Sequence, residues 1–372
     1  MMAIAGARIA SRAFGDCKHG ATTLYTLHNK AGLTASVTDY GATLQSLCLP
    51  DKSGAIEDCI LGFDDVSGYA AEGTPYFGSI VGRVANRIAK GAFSLGGNDY
   101  TLACNNGPNT LHGGPDGIST RLWKVQPIDV EGLPAALQLS LRDPDGHEGY
   151  PGDLDLTVTY TLTDSNELRI DMEARHATGE GLSALPTPIN LASHTYWNLG
   201  GHTSGTVLDT TLQLNCPQYT PIDETSIPTG AFTDVAGGCF DFVTAPQKIG
   251  ARIGEVTASD GHEGAGGGYD HNMVVASDGF GKLSHVATCA HEGSGRKMEL
   301  FATTPGVQFY TSNFLGPANG PFKGGAVYDK HQGFCLETQH YPDTINQPGF
   351  PASTLHAGEI YSHSMIHKFS AA

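Results

Sequence analysis

Apolar residues recur at every second position over long stretches of this chain: Leu137, Leu139 and Leu141, then Leu154, Leu156, Val158, Tyr160 and Leu162, then Leu168, Ile170, Met172 and Ala174. A period of two is that of a pleated strand with one buried face, and a helix of 3.6 residues per turn cannot gather those side chains on one side. Turn residues stand where the runs stop. Thr163-Asp164-Ser165-Asn166 joins the second run to the third as a hairpin would, and Asp143-Pro144-Asp145-Gly146 breaks the chain after the first. Further strands are predicted at Leu33 to Val37, Leu44 to Leu49, Leu212 to Leu214, Met298 to Phe301, Val307 to Tyr310 and Phe334 to Thr338, and helical turns only near Asp64 to Tyr69 and Ile249 to Val256.

The 49 glycines and 20 prolines suit many short strands joined by turns. No repeat of fixed period and no linker between compositional regimes divides the chain, and Gly261 to Gly268 reads as a long loop. The expectation is therefore an all-β fold with very little helix, a large antiparallel β-sandwich forming a single domain over residues 1–372, with 1–20 as a possible N-terminal extension. A concave sheet face in such a sandwich can hold a small polar ligand.

A formal charge of −17 argues against nucleic acid and anionic membrane as partners, because both need clustered Lys and Arg. The eight cysteines include no Cys-x-x-Cys pair, so reduced, packed thiols are expected. There is no Asn-x-Ser/Thr sequon and no apolar run of signal or membrane length, which points to the cytoplasm. The stretch Met1 to Gly15, with Arg8, Ser11 and Arg12 and no acid, has a faint transit-peptide composition and reads as an ordinary extension.

Several polar segments carry the chemistry. Read as a strand, Gly333 to His340 sends Phe334, Leu336 and Thr338 to one face and Cys335, Glu337 and Gln339 to the other, so Glu337 stands on a rigid element as a general base should. In Pro188 to Leu199, Ile189 and Leu191 alternate with Asn190, Ala192 and His194, placing a near-neutral titrating group on a polar face. Gly82-Arg83-Val84-Ala85-Asn86-Arg87-Ile88 and Thr110-Leu111-His112-Gly113-Gly114 supply donors for vicinal hydroxyls, although Arg83 and Arg87 serve equally well as ion-pair partners. Asp270, in Tyr269-Asp270-His271-Asn272, and Gln308, in Gly306 to Asn313, can each bond a hydroxyl or close a turn.

In this order, from roughly Ala21 to Ser370, these segments resemble the aldose 1-epimerase (galactose mutarotase) family. Its pattern runs through Gly-Arg-x-x-Asn-Arg-Ile, Leu-His-Gly-Gly, Asn-Leu-x-x-His-x-Tyr-(aromatic)-Asn-Leu, Asp-His-Asn, Gly-x-Gln-x-Tyr-Thr and Leu-Glu-Thr-Gln. The resemblance implies a galactose mutarotase-like supersandwich that interconverts the α and β anomers of a free aldose such as galactose or glucose. It implies His194 as general acid, Glu337 as general base, and Asn86, Arg87, His112, Tyr196, Asp270 and Gln308 as sugar contacts. Trp197 stands where the family usually has Phe, which bears on pocket width.

Such a reaction moves only protons, so no metal and no cofactor is expected. The sequence has no Gly-x-Gly-x-x-Gly opening a helix, no Walker loop, no Gly-x-Ser-x-Gly elbow and no His-Glu-x-x-His. An imidazolium at neutral pH requires His194 to be raised from about 6.5, and the expected cause is the negative charge of Glu337 and Asp270. Two competing readings keep the fold: a hexose 6-phosphate epimerase, drawing on the Arg83, Arg87 and Lys90 neighbourhood for phosphate, and a carbohydrate-binding protein without catalysis.

Overall fold

In a computed structural model of the protein, residues 8–256, 267–277 and 281–372 are described. Most of the predicted loop Gly261 to Gly268 and the first seven residues lie outside them.

The alternating runs become the middle of a nine-stranded antiparallel sheet. Strands Ala135–Asp143, Leu154–Leu162 and Glu167–His176 pair in sequence order. Their side chains alternate between buried and half-exposed, most regularly in Leu154–Leu162. The hairpin turn is where the sequence puts it, closed by the Asn166 N–H donating to the Thr163 carbonyl at 3.2 Å with Asn166 left-handed at φ 61°. The long strand Ile360–Ala371 fills the next place in the sheet and links Glu167–His176 to Arg296–Ala302.

A six-stranded sheet faces this one, built of short strands in the order Tyr196–Trp197, Phe334–Gln339, Gly306–Tyr310, Asp270–Val274, Gln218–Tyr219 and Thr233–Asp234. Between the sheets, Trp197 packs on His367 and Phe369, and Thr338 Oγ1 sits 2.9 Å from His363 Nε2. Burying one face of both sheets in this way is the main source of stability for such an architecture. A five-stranded sheet that starts with Ile9–Cys17 paired to Gly20–His28, and several two-stranded sheets, flank these two. Residues 9–17, grouped in the sequence reading with a possible extension, are thus an edge strand of the five-stranded sheet.

Helix is sparse among the described residues: Val66–Tyr69, capped by Asp65 accepting from the Ser67 N–H at 2.8 Å, and short 3-10 turns, of which Ile249–Ala251 and Ile253–Glu255 fall in the second predicted stretch. No described helix is long and apolar enough to cross a membrane. The eight cysteines, all among the described residues, form no disulfide.

Candidate active site

Strand register assembles the centre of the site. Tyr196 stands opposite Cys335, Cys335 opposite Tyr310, and Tyr310 opposite Asp270, so four adjacent strands contribute one row. The next row is Glu337, Gln308 and Asn272. Residues two apart on a strand share a face, so both rows point away from the nine-stranded sheet. Their opposite face, with Phe334, Leu336 and Trp197, is locked in the core. Trp197 therefore leaves the width of the cleft untouched, because it points into the sandwich.

Loops bring in the remaining groups. His194 follows the short strand Ala192–Ser193, and its backbone is tied on both sides: its N–H donates to the Ser79 carbonyl and its carbonyl accepts the Gly78 N–H, both at 2.9 Å. Asn86 and His112 both adopt left-handed backbone, at φ 61° and 52°, and brace each other. The His112 N–H donates to the Asn86 carbonyl at 3.0 Å, and the Asn86 N–H donates to His112 Nδ1 at 3.1 Å. Arg87 Nε donates to Asn106 Oδ1 at 3.0 Å.

The result is a cleft of about 550 Å³. Seven of the eight residues singled out from the sequence line it: Asn86, Arg87, His112, His194, Tyr196, Asp270 and Glu337. Gln308 lies just behind the lining, nearly buried, and donates through Nε2 to Asp270 Oδ1 at 2.7 Å. Its Oε1 is left without a hydrogen-bond partner. Arg83 is no cleft residue either, being fully buried with Nε 2.8 Å from Asp143 Oδ2 and Nη1 donating to the Pro151 carbonyl at 2.6 Å. Tyr76, Asn106, Glu224, Tyr310, Phe314 and Asn319 also line the cleft and were not singled out. Of these, only Tyr310 had a signal in the sequence, since it lies two residues beyond Gln308 on a strand.

At the floor, His194 Nε2 lies 3.6 Å from Glu337 Oε1, and both side chains are almost wholly enclosed. The second Glu337 oxygen, Oε2, is buried without a hydrogen-bond partner. Burial, seconded by the charge of Asp270 and opposed by Arg87, pushes the Glu337 carboxyl well above its usual range. Burial pulls His194 down to about 4, and its own backbone carbonyl and Asp270 oppose this without prevailing. The expected rise of His194 is thus overturned. Desolvation penalises a charge wherever it sits, and here it outweighs the attraction of nearby carboxylates. Desolvation thus works against charge on both groups.

His112, His194 and Glu337 bring their ligand atoms within 4.8 Å of one another, close enough to hold a metal ion. The donor set speaks against one. His112 Nδ1 accepts the Asn86 N–H, so a neutral His112 carries its proton on Nε2 and offers an N–H, whereas a metal-bound imidazole presents a lone pair and donates from its other nitrogen. Burial and the neighbouring His194 and Arg87 hold His112 well below its usual range, which keeps that N–H on a neutral ring.

An antiparallel sandwich whose concave face buries an acid–base pair beneath neutral and charged hydrogen-bonding groups defines a class: a proton-moving enzyme for a small polyhydroxylated substrate. The aldose 1-epimerase family model matches residues 23–368, and the chain belongs to that family. Galactose mutarotase from Bos taurus is 41% identical over 362 residues, 96% of this chain and 98% of that one. The Homo sapiens galactose mutarotase is 40% identical over 369 residues, 98% and 100% of the two chains. The crystal structure of a GalM/aldose epimerase homologue from C. elegans superposes with a TM-score of 0.81 at 31% identity, covering 98% of this chain and 100% of that one.

Proposed function

We propose that this protein is an aldose 1-epimerase, a mutarotase that interconverts the α and β anomers of a free hexose such as galactose or glucose, with His194 and Glu337 moving the protons. The observation that carries the reading is the 3.6 Å approach of His194 to Glu337 at the floor of one cleft. In a pyranose the hydroxyl that must lose a proton and the ring oxygen that must gain one are attached to the same carbon. Acid and base therefore have to converge on neighbouring atoms, and two side chains within 4 Å of each other do so.

Glu337 takes the proton of the anomeric hydroxyl as His194 protonates the ring oxygen, so the departing oxygen never becomes a free alkoxide. This step converts carboxylate and imidazolium into carboxyl and neutral imidazole, the uncharged pair that burial favours. Desolvation thereby stabilises the pair as it stands once the ring is open. After rotation about the C1–C2 bond, Glu337 returns its proton, His194 regains one, and the other anomer closes. Asn86, Arg87, His112 and Asp270 hold the remaining hydroxyls. Mutarotation transfers protons only and calls for no cofactor.

A free sugar is favoured over a sugar phosphate by charge. Among the described residues that line the cleft, Arg87 is the one Lys or Arg, and it already donates to Asn106, while Asp270, Glu224 and Glu337 are acidic. A phosphate calls for the opposite balance. The test is polarimetry on freshly dissolved α-galactose and α-glucose. The protein should hasten mutarotation, H194A and E337Q should each lose about 10²–10⁴-fold in turnover while still binding sugar, and galactose 6-phosphate should compete poorly. Wild-type turnover in E337Q would remove Glu337 from the role of base, and sugar binding with no mutarotation in the wild type would make the protein a carbohydrate-binding one.

A further inference from the structure

Tyr76 has no part in the reading above, yet its ring lies against both histidines of the site. It stacks on His194 at 5.9 Å between centroids with 21° between planes, and meets His112 at 4.9 Å and 61°. Tyr196 also stacks on His194, at 5.0 Å and 16°. Both phenol rings thus lie nearly parallel to the imidazole.

Hydrogen bonds alone do little to hold that ring. Nδ1 has its side-chain neighbour in Cys335 Sγ at 3.7 Å, Nε2 faces Glu337 at 3.6 Å, and the further polar influences are the residue's own carbonyl and the charge of Asp270. A catalytic histidine is usually oriented by a strong acceptor on its second nitrogen. Here flat surfaces fix the tilt instead.

The backbone is shaped to deliver Tyr76. It is left-handed at φ 60°, a conformation that bulky residues rarely adopt and that tends to be kept where it serves a site. Its carbonyl accepts the Ser79 N–H at 3.1 Å, closing a turn. That turn sends consecutive side chains apart: Phe77 goes into the core beneath Tyr196, at 4.8 Å and 78°, while Tyr76 swings over the cleft. Gly78 and Ser79 of the same turn make the two backbone hydrogen bonds to His194. The segment that carries the ring thus also grips the histidine it covers.

We propose that Tyr76 is a positioning residue that, together with Tyr196, clamps the His194 imidazole, fixing its tilt towards Glu337 and keeping water off its outer face. The proposal rests on the mutarotase reading only for what His194 does afterwards. Glu337, Asp270, Cys335 and Tyr310 face His194 from the six-stranded sheet, and His112, with Arg87 behind it, faces it from the loops. Of these groups, His112 also rests against Tyr76, so its ring is followed in the same titration.

Two readouts test it in Y76L and Y76F: the titration of the His194 ring by NMR of ring-labelled protein, assigned with H194Q, and kcat and KM for galactose by polarimetry. In Y76L, water reaches the ring, so the His194 midpoint should climb from about 4 towards the ordinary 6.5, and kcat should fall roughly tenfold or more with KM changed less than about threefold. Y76F, which keeps the flat ring, should restore both. Should Y76L not fold, Y76M serves, filling the space without a plane to stack. An unmoved His194 midpoint in the aliphatic variant overturns the proposal, as does a fall in kcat that Y76F shares. A moved midpoint with unchanged kcat upholds the clamp and sinks the role of His194 as acid.

Discussion

His194 Nε2 and Glu337 Oε1 face each other at 3.6 Å, from a loop and a strand 143 residues apart in sequence, with almost no solvent between them. Two titrating groups so close exchange protons as a pair, and the macroscopic midpoints belong to both. The form needed for ring opening holds one proton in the pair, so kcat/KM should be bell-shaped. Burial places the acid limb low, since His194 is pulled to about 4, and moves the alkaline limb up with the raised Glu337. Turnover should therefore stay level from pH 7 down to about pH 5.5, where an ordinary histidine near 6.5 would already have cut it. Because the charge of Asp270 helps raise Glu337, D270N should move the alkaline limb to lower pH. A pH series of initial rates for both proteins checks the sign, and an alkaline limb that does not move detaches it from Glu337.

Gln308 is expected to act on the sugar through Asp270. Its Nε2 donates to Asp270 Oδ1 at 2.7 Å, a bond to a charged acceptor, which is typically worth about 1.5–3 kcal/mol. Q308L removes it, loosening one hold on the carboxylate, and KM for galactose should rise by roughly tenfold or more with kcat less affected. A fall in kcat with unchanged KM would instead assign Gln308 to its other neighbour, the Glu337 strand against which it is registered.

How much of this was legible in the sequence follows from what each strand is made of. Leu154–Leu162 and Glu167–His176 announce themselves because their inward residues are all apolar until the last, His176. Ile360–Ala371 alternates just as strictly, but its inward side chains are Tyr361, His363, Met365, His367 and Phe369, and two histidines hide the apolar pattern. Asp270–Val274 was read as a polar segment for a related reason: its buried polar residues belong to the site and to its support. Glu337, by contrast, was placed on the correct face from parity alone. What parity cannot give is the left-handed backbone at Tyr76, Asn86 and His112, which depends on packing between segments far apart in the chain. The fall of His194 was equally out of reach, because a sequence lists charges and not how deeply the fold buries them.

Arg83 supplies a stability prediction that separates it from Arg87. Its guanidinium is fully enclosed and bonded to Asp143, the Pro151 carbonyl and Thr187 Oγ1. R83L leaves the Asp143 carboxylate buried with His147 as its remaining side-chain partner, and losing one member of a buried pair costs about 3–5 kcal/mol. Urea unfolding should show a markedly lower midpoint, and R83L/D143L should recover part of it. The folded fraction should keep its KM for galactose, whereas Arg87→Leu should raise KM with little change in the urea midpoint. A normal urea midpoint in R83L would mean that the pair contributes nothing net.

The buried histidines set a further dependence of stability on pH. Burial holds His340, His363 and His367 at about 4 in the folded protein, against about 6.5 in an unfolded chain. A depressed folded midpoint means that the unfolded state binds protons first. Stability is therefore full above about pH 6.5 and is lost as pH falls from there towards 4, at up to about 1.4 kcal/mol per pH unit for each such group. Urea midpoints at pH 7.0, 6.0 and 5.0 should decline progressively. His367 is the clearest probe, since it is buried against Trp197 and Phe369, and the Leu168 backbone only partly opposes the effect of burial. H367F keeps an aromatic ring there and removes one proton from the linkage, so it should flatten the decline by one group's share and leave mutarotation unchanged. An equally steep decline in H367F would show that this histidine is not held neutral by the fold.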